Sequence, residues 1–236
     1  DGDEVIALDN LFTGSRRNIA AFLGDDRFEF LRHDVCEPFH VECDRIYALA
    51  CPAAPLHYSR NAVRTIETAV VGVLHALRLA RETGARIVVT SSSEVYGDPE
   101  VHPQTEDYRG HVSPVGDRSC YDEGKRAGEA LCAAYARQYG VDVRVARPFN
   151  VYGPFMSRGD GRVVPAFLDA LLDGTPIKLH GLGHQTRSFC FVSDMIAALR
   201  ALMDAPRETL ACLPETRLPV VNLGRPEETT IAELAR

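Results

Sequence analysis

The 236-residue sequence has no basic surplus, no paired-cysteine motif, no long apolar run and no internal repeat. Lys and Arg number 26 against 33 Asp and Glu, for a net charge of −7. A general nucleic-acid binder neutralises phosphates with a net basic face, so that class is excluded; a local basic pocket for a small phosphorylated ligand is not. No apolar stretch approaches the roughly 18 residues of a membrane-spanning helix, so no membrane partner is expected. The seven cysteines (36, 43, 51, 120, 132, 190 and 212) are odd in number and scattered without a C-x-x-C pair. That spacing argues against a disulfide framework and against a cysteine metal site. It predicts reduced, mostly buried thiols, no metal and a cytoplasmic protein, and the N-terminal residues show no charged segment leading into an apolar one. With 45% hydrophobic and 25% charged residues the chain reads as globular rather than disordered or fibrous.

What is present alternates. Strand-like runs at Glu4–Asp9, Arg27–Val35 and Asp44–Ala50 precede a long helical stretch from about Asn61 to Thr83, stopped by Gly84. Arg86-Ile-Val-Val-Thr-Ser91 is a compact β-branched run suited to a buried parallel strand. A second long helix is predicted from Ser119 to Gly140, then a strand from Asp142 to Arg147. Strands alternating with helices of this size imply βαβ units and a doubly wound, parallel Rossmann-type sheet. After Arg147, Pro148, Gly153, Pro154, Gly159, Gly161 and Pro165 mark a loop-rich change of texture. Beyond it a helix (Val163–Leu172), strands (Ile177–His180 and around Ser188–Val192), a helix from Ser193, a strand (Val220–Leu223) and a helix capped by Thr229 or Thr230 are expected. The division is therefore a main domain over 1–149 and a smaller lobe over 150–236, with 187–204 returning to the main domain.

Asp9 ends the first strand, where a doubly wound fold places an acid against the ribose hydroxyls of NAD and against a 2′-phosphate. A strand-end Asp capping a turn is the simpler alternative, and the same ambiguity holds for Asp34. Ala50-Cys51-Pro52-Ala53 reads either as small residues lining a cofactor groove or as a tight turn. Tyr121 and Lys125 stand at i and i+4 on one helix face. That pair alone is common by chance, but Ser91-Ser92-Ser93-Glu94 follows a parallel strand at the sheet edge where such folds bind ligands. Lys⁺ and an oxidised nicotinamide would both favour a Tyr121 phenolate; lowering a phenol by roughly three units needs about 4 kcal/mol.

The motifs Asp9-Asn10 with Phe12-Thr13-Gly14, His33-Asp34-Val35, Ser92-Ser93-Glu94-Val95-Tyr96-Gly97-Asp98-Pro99-Glu100-Val101-His102-Pro103, Cys120-Tyr-Asp-Glu-Gly-Lys-Arg126, Arg144-Val-Ala-Arg147, Phe149-Asn150, Gly161-Arg-Val-Val164 and Gln185-Thr-Arg187 span nearly the whole chain. Together they resemble the extended short-chain dehydrogenase/reductase superfamily acting on nucleotide sugars, and within it most closely the UDP-glucuronate decarboxylases. The resemblance implies Ser92, Tyr121 and Lys125 as the hydride-transfer triad. It implies Ser93, Glu94 and Arg187 as residues serving the carboxylated sugar, and Arg118, Asn150, Arg162, Gln185 and Arg187, with Glu94, as substrate-binding. Asp9, Asn10, Asp34, Val35, Ala50, Pro52, Tyr121 and Lys125 would hold NAD. For Arg162 and Arg187 the plain alternative is a solvated surface charge. A homodimer through the two long helices is also implied.

The expected chemistry is removal of hydride and proton at the sugar C4, loss of carbon dioxide from the resulting β-keto acid, and return of hydride to give UDP-xylose. A 4,6-dehydratase resembles this chain less, because Ser93 stands where an Asp is needed to expel water. A 4-epimerase, which needs only the triad, is the second choice; a catalytically silent nucleotide-binding protein is the choice from another class. No G-x-x-G-x-x-G segment precedes Glu4 or follows it. A first βα unit with its phosphate loop is therefore expected to be missing from these 236 residues, with weak NAD binding and poor folding as the consequence.

Overall fold

The computed structural model describes residues 2–236. The β-branched run becomes β4 (Arg86–Thr90), flanked in parallel by β3 (Arg45–Ala48) and β5 (Val143–Pro148), with β9 (Val220–Leu223) beyond β5. Side chains alternate across this sheet as the pleat requires. Ile87, Val89, Val143, Val145 and Val220 meet one helical layer, while Val88 and Ala146 meet the other. Each fully buried side chain of this size contributes about 1.5–3 kcal/mol. The first layer is α3 (Val73–Thr83) and α4 (Ser119–Tyr139); the second is α6 (Val192–Asp204), through Met195, Leu199, Leu202 and Met203. Helices on both faces of a parallel sheet are the doubly wound architecture.

The strands β1 (Val5–Asp9) and β2 (Phe28–Arg32) pair in parallel as a separate two-stranded sheet, Val5 opposite Phe28 and Asp9 opposite Arg32. Arg45 at the start of β3 pairs with Asp3 just before β1, so the two sheets are bridged at that end by a long side chain. The apolar residues Val5, Ile6, Tyr47 and Leu49 are exposed.

The helix expected over Asn61–Thr83 is broken. A short α1 (Pro55–Arg60) precedes it, α2 covers Ala62–Glu67, and a widened π-turn over Thr68–Gly72 leads into α3. Two causes are visible. The Thr68 hydroxyl donates back to the Arg64 carbonyl at 2.8 Å, a bond that competes with regular helix. At Gly72 a Cβ would lie 2.8 Å from Val35 Cγ2, so the helix passes hard against the chain after β2. Both α3 and α4 stop on left-handed glycines, Gly84 and Gly140, as their sequences predict.

In the second half α5 occupies Val163–Leu172 and β9 Val220–Leu223, as expected. The segment Ile177–His180 is not a strand: Gly174, Gly181 and Gly183, all at positive φ, turn the chain on either side, and no described strand pairs with it. The run around Ser188–Val192 divides into β7 (Thr186–Ser188) and β8 (Cys190–Phe191). The first pairs antiparallel with β10 (Glu228–Thr230), the second parallel with β6 (Val151–Tyr152). Thr230 is the N-cap of α7 (Ile231–Leu234), with a full capping box to Glu233. All seven cysteines are free, and no described helix is long and apolar enough to cross a membrane.

Candidate active site

The C-terminal end of β4 delivers Ser92 into a 3-10 turn over Ser93–Tyr96, whose first N–H groups it caps by accepting from the Glu94 amide at 3.2 Å. The N-terminal turn of α4 brings Tyr121 and Lys125 to the same edge, both buried. Lys125 Nζ donates to the Thr90 carbonyl at 2.8 Å and stands 5.8 Å from the Tyr121 ring centroid. Tyr121 stacks on Tyr58 of α1, centroids 5.3 Å apart and rings 16° from parallel. Arg118, just before α4, pairs with Glu94 and lies 3.8 Å from the Asp122 carboxylate and 5.9 Å from the Tyr58 ring centroid. The sequence-predicted Ser92, Ser93, Glu94, Arg118, Tyr121 and Lys125 therefore share one corner. Tyr58 and Asp122 were not singled out from the sequence. Tyr58 carries no motif signal, and Asp122 was hidden inside the Tyr-Asp-Glu-Gly-Lys motif.

Burial pushes the Tyr121 phenol well above its ordinary value; hydrogen bonding with Ser92 opposes this, and the nearby Cys51, Glu94 and Asp122 raise it further. Lys125 does not offset that burial, because its ammonium is turned onto a backbone carbonyl. Asp122 is also raised, to about 6, chiefly by burial, with Arg118 pulling down and Glu94 and Glu123 pushing up.

Next to this corner a groove of about 200 Å³ is lined by Asp9, Asn10, Asp34, Val35, Ala50, Cys51 and Pro52, together with Gly14, Arg64 and Thr68. Six sequence-predicted cofactor residues thus meet in one place. Asp9 holds the loop after it by accepting from the Leu11 amide at 2.6 Å, and Gly14 leaves room beside its carboxylate, 3.3 Å from where a Cβ would sit. Asn10 Nδ2 donates to Asp34 Oδ2 at 2.8 Å, and Asp34 is also paired with Arg64 of α2. A carboxylate at a strand end beside a glycine-cleared cradle, with small residues opposite, suits the ribose and adenine portions of a dinucleotide. Arg64, which reaches the groove from α2, had no sequence signal.

The remaining predicted residues lie in the second half. Asn150 accepts from the Cys190 amide through its carbonyl, Gln185 donates to the His180 carbonyl, and Arg187 on exposed β7 donates to the Thr186 carbonyl. Arg162 occupies the N-cap position of α5 and is paired with buried Asp160, so it is not the free solvated charge of the plain alternative. Among the described residues no hydrogen bond or ion pair joins these four to the Tyr121 corner. A larger apolar cavity of about 410 Å³ between Tyr152–Met156 and α5 is lined by none of them.

Residues 1–217 match the NAD dependent epimerase/dehydratase family. The chain belongs to it. Over 233 residues it is 52% identical to UDP-glucuronic acid decarboxylase 6 of Arabidopsis thaliana, covering 99% of this chain and 65% of that protein. It is 49% identical to UDP-glucuronic acid decarboxylase 1 of Xenopus tropicalis, covering 100% of this chain and 54% of the other. The chain thus spans between half and two thirds of the length of these curated relatives. Among solved structures, a dTDP-glucose 4,6-dehydratase double mutant from Streptomyces venezuelae with NAD bound superposes with a TM-score of 0.82 at 28% identity, covering 100% of this chain and 70% of that one. A UDP-glucose 4-epimerase from Thermotoga maritima, with UDP-glucose, gives 0.82 at 24% identity over 99% and 73%. The family's name and the NAD-bound dehydratase place NAD chemistry in the same fold that positions Ser92, Tyr121 and Lys125 here.

Proposed function

We propose that the protein decarboxylates UDP-glucuronate to UDP-xylose through a 4-keto intermediate. The observation that carries this is the identity of about half of all positions, along essentially the whole chain, to proteins named UDP-glucuronic acid decarboxylases. The site supports it: a 4-epimerase needs only Ser92, Tyr121 and Lys125, whereas Glu94 beside them, paired with Arg118, would supply the further proton handling that a decarboxylation requires.

Asp9, Asn10, Asp34, Val35, Ala50 and Pro52 would hold the cofactor, which when bound supplies the hydride acceptor and later donor at C4 and a positive charge near the phenol. Lys125, with donors to spare beyond the Thr90 carbonyl, would bind ribose hydroxyls. Tyr121 takes the proton from the sugar 4-hydroxyl, aligned by Ser92. Burial raises its phenol pKa, a cost that the cofactor's positive charge would help to offset. The 4-ketone stands β to the carboxylate, so carbon dioxide leaves with its electron pair in the enolate. Glu94 and Ser93 then govern reprotonation at C5, and Arg187, Arg162, Asn150 and Gln185 would grip the carboxylate and nucleotide ends.

Incubation with UDP-glucuronate and NAD should release carbon dioxide and UDP-xylose in equal amounts. Tyr121→Phe should remove both products and the transient absorbance of reduced nicotinamide. Interconversion of UDP-sugars without carbon dioxide release would make it an epimerase and sink the proposal.

A further inference from the structure

Asp122 stands directly after the catalytic tyrosine, yet none of the steps above uses it. It is more than nine-tenths buried, and its Oδ1 has no hydrogen-bond partner, an uncommon condition for a buried carboxylate. Its other oxygen, Oδ2, lies 3.8 Å from Arg118 Nε, one helical turn back. The same guanidinium pairs through Nη2 with Glu94 across the site. One cation is therefore shared by two carboxylates, one on the Ser93–Tyr96 turn and one on α4.

We propose that Asp122 is a positioning residue for Glu94, acting through Arg118, which it grips from the helix side. The proposal deepens the decarboxylase reading and rests on it, because it concerns the group assigned to proton handling. The charged and titratable groups facing Asp122 are Arg118, Cys120, Tyr121 and Glu123 from its own helix and its approach, Glu94 from the turn, and Tyr58 from α1. Arg118 is the sole cation among them. When Asp122 is ionised it draws Arg118 toward the helix, and Glu94 is held less firmly and can turn toward the sugar. When Asp122 is protonated, Arg118 belongs to Glu94 alone and holds that carboxylate on the guanidinium, away from the sugar. Burial places the changeover near pH 6.

The experiment is steady-state turnover of UDP-glucuronate by the intact protein at saturating NAD from pH 5 to 9, for the parent, Asp122→Asn, Glu94→Gln and the double variant. Asp122→Asn should lower kcat about tenfold at pH 7.5 with KM within about twofold, and should lose the fall in kcat that the parent shows below about pH 6. In the Glu94→Gln background the same change should have no further effect, because a residue acting only through Glu94 has nothing left to position. A purely structural role would lower kcat equally at every pH and in both backgrounds, and that result overturns the proposal. So does a raised KM with an unchanged pH profile, which would assign Arg118 to the substrate instead. If Asp122→Asn folds poorly, Asp122→Glu carries the decision: it should retain a pH limb at a shifted position, and an unshifted limb counts against the proposal. Full activity in Glu94→Gln would remove the reading of Glu94 and the proposal together. A slow Glu94→Gln beside a parent-like Asp122→Asn overturns the proposal alone.

Discussion

At the scale of single residues, the carboxylates here are distinguished by their surroundings rather than by their type. Asp34 is compensated by Arg64 and the Asn10 amide, whereas Asp122 has half of a guanidinium and a bare oxygen. That difference has a consequence for stability. A carboxyl raised from 3.8 to about 6 binds its proton more tightly in the folded chain than in the unfolded one. Its favourable contribution is therefore complete below about pH 4 and is lost as pH rises through 6. Asp122→Asn removes that loss, so its stability relative to the parent should rise by about 2 kcal/mol between pH 4 and pH 7.5. Denaturant unfolding at the two pH values reads this directly. A difference between parent and variant that stays constant with pH would mean that Asp122 is not perturbed by burial.

At the scale of elements, the turn that presents Glu94 is fixed at its C-terminal end. Gly97 closes the turn at φ 65°, hydrogen-bonded through its amide to the Glu94 carbonyl, and its α-carbon lies against the His111 carbonyl so closely that a Cβ would overlap it. Gly110 meets the Val95 carbonyl in the same way, a Cβ falling 2.5 Å from the oxygen. Tyr96 anchors the other side, donating to Asn222 Oδ1 of β9 at 2.7 Å while accepting from Arg147 Nη1 at 2.8 Å. Arg147 in turn is held bidentately by Glu129 of α4. Gly97→Ala should therefore cost about 3 kcal/mol and lower the melting midpoint by about 6–12 °C, since both the backbone conformation and the space forbid a side chain. Turnover at a temperature where the variant is folded should fall as well, because the turn carries Glu94. A variant with unchanged melting would show that the turn opens without cost. This clasp was not legible in the sequence: it joins residues 97 and 111, and 96 and 222, by tertiary approach alone. The strands β4, β5 and β9 were legible because continuous apolar runs suit a strand covered on both faces. The break between α2 and α3 was hidden by an apolar pattern that fits a single helix equally well. At Ile177–His180 two alternating apolar residues imitated a strand between glycines that turn the chain away.

At the scale of the whole molecule, the meeting of Ser92, Glu94, Tyr121 and Lys125 in one corner was legible, because they come from local motifs at the C-terminal edge of one sheet. The groove proposed for the cofactor was legible only as a set of residues, not in its construction. Asp9, Asn10, Asp34 and Val35 belong to the β1–β2 sheet and its loops, while Ala50, Pro52, Arg64 and Thr68 come after β3, and no described backbone ladder joins the two sheets. Their coupling near the groove runs through side chains: Arg64 to Asp34, Cys36 to Thr68, and His75 to the Val35 carbonyl. A dinucleotide lying across this groove touches both units, so it should stabilise the folded chain by more than its contacts to either one. At a concentration about 100-fold above its Kd, NAD should add about 2.7 kcal/mol, equivalent to about 5–10 °C in the melting midpoint. Arg64→Met removes the charged link and leaves Asp34 with the Asn10 side-chain amide and the Cys36 backbone amide, and with no cation. It should lower the NAD-free midpoint slightly, since a part-exposed pair is worth about 1 kcal/mol or less. It should cut the NAD-induced rise at the same NAD concentration by at least half, because an uncompensated Asp34 spreads the groove and weakens binding on both sides. Thermal melting of parent and variant with and without NAD measures both quantities. An NAD-induced rise equal in the two proteins would mean that the groove is held together without Arg64.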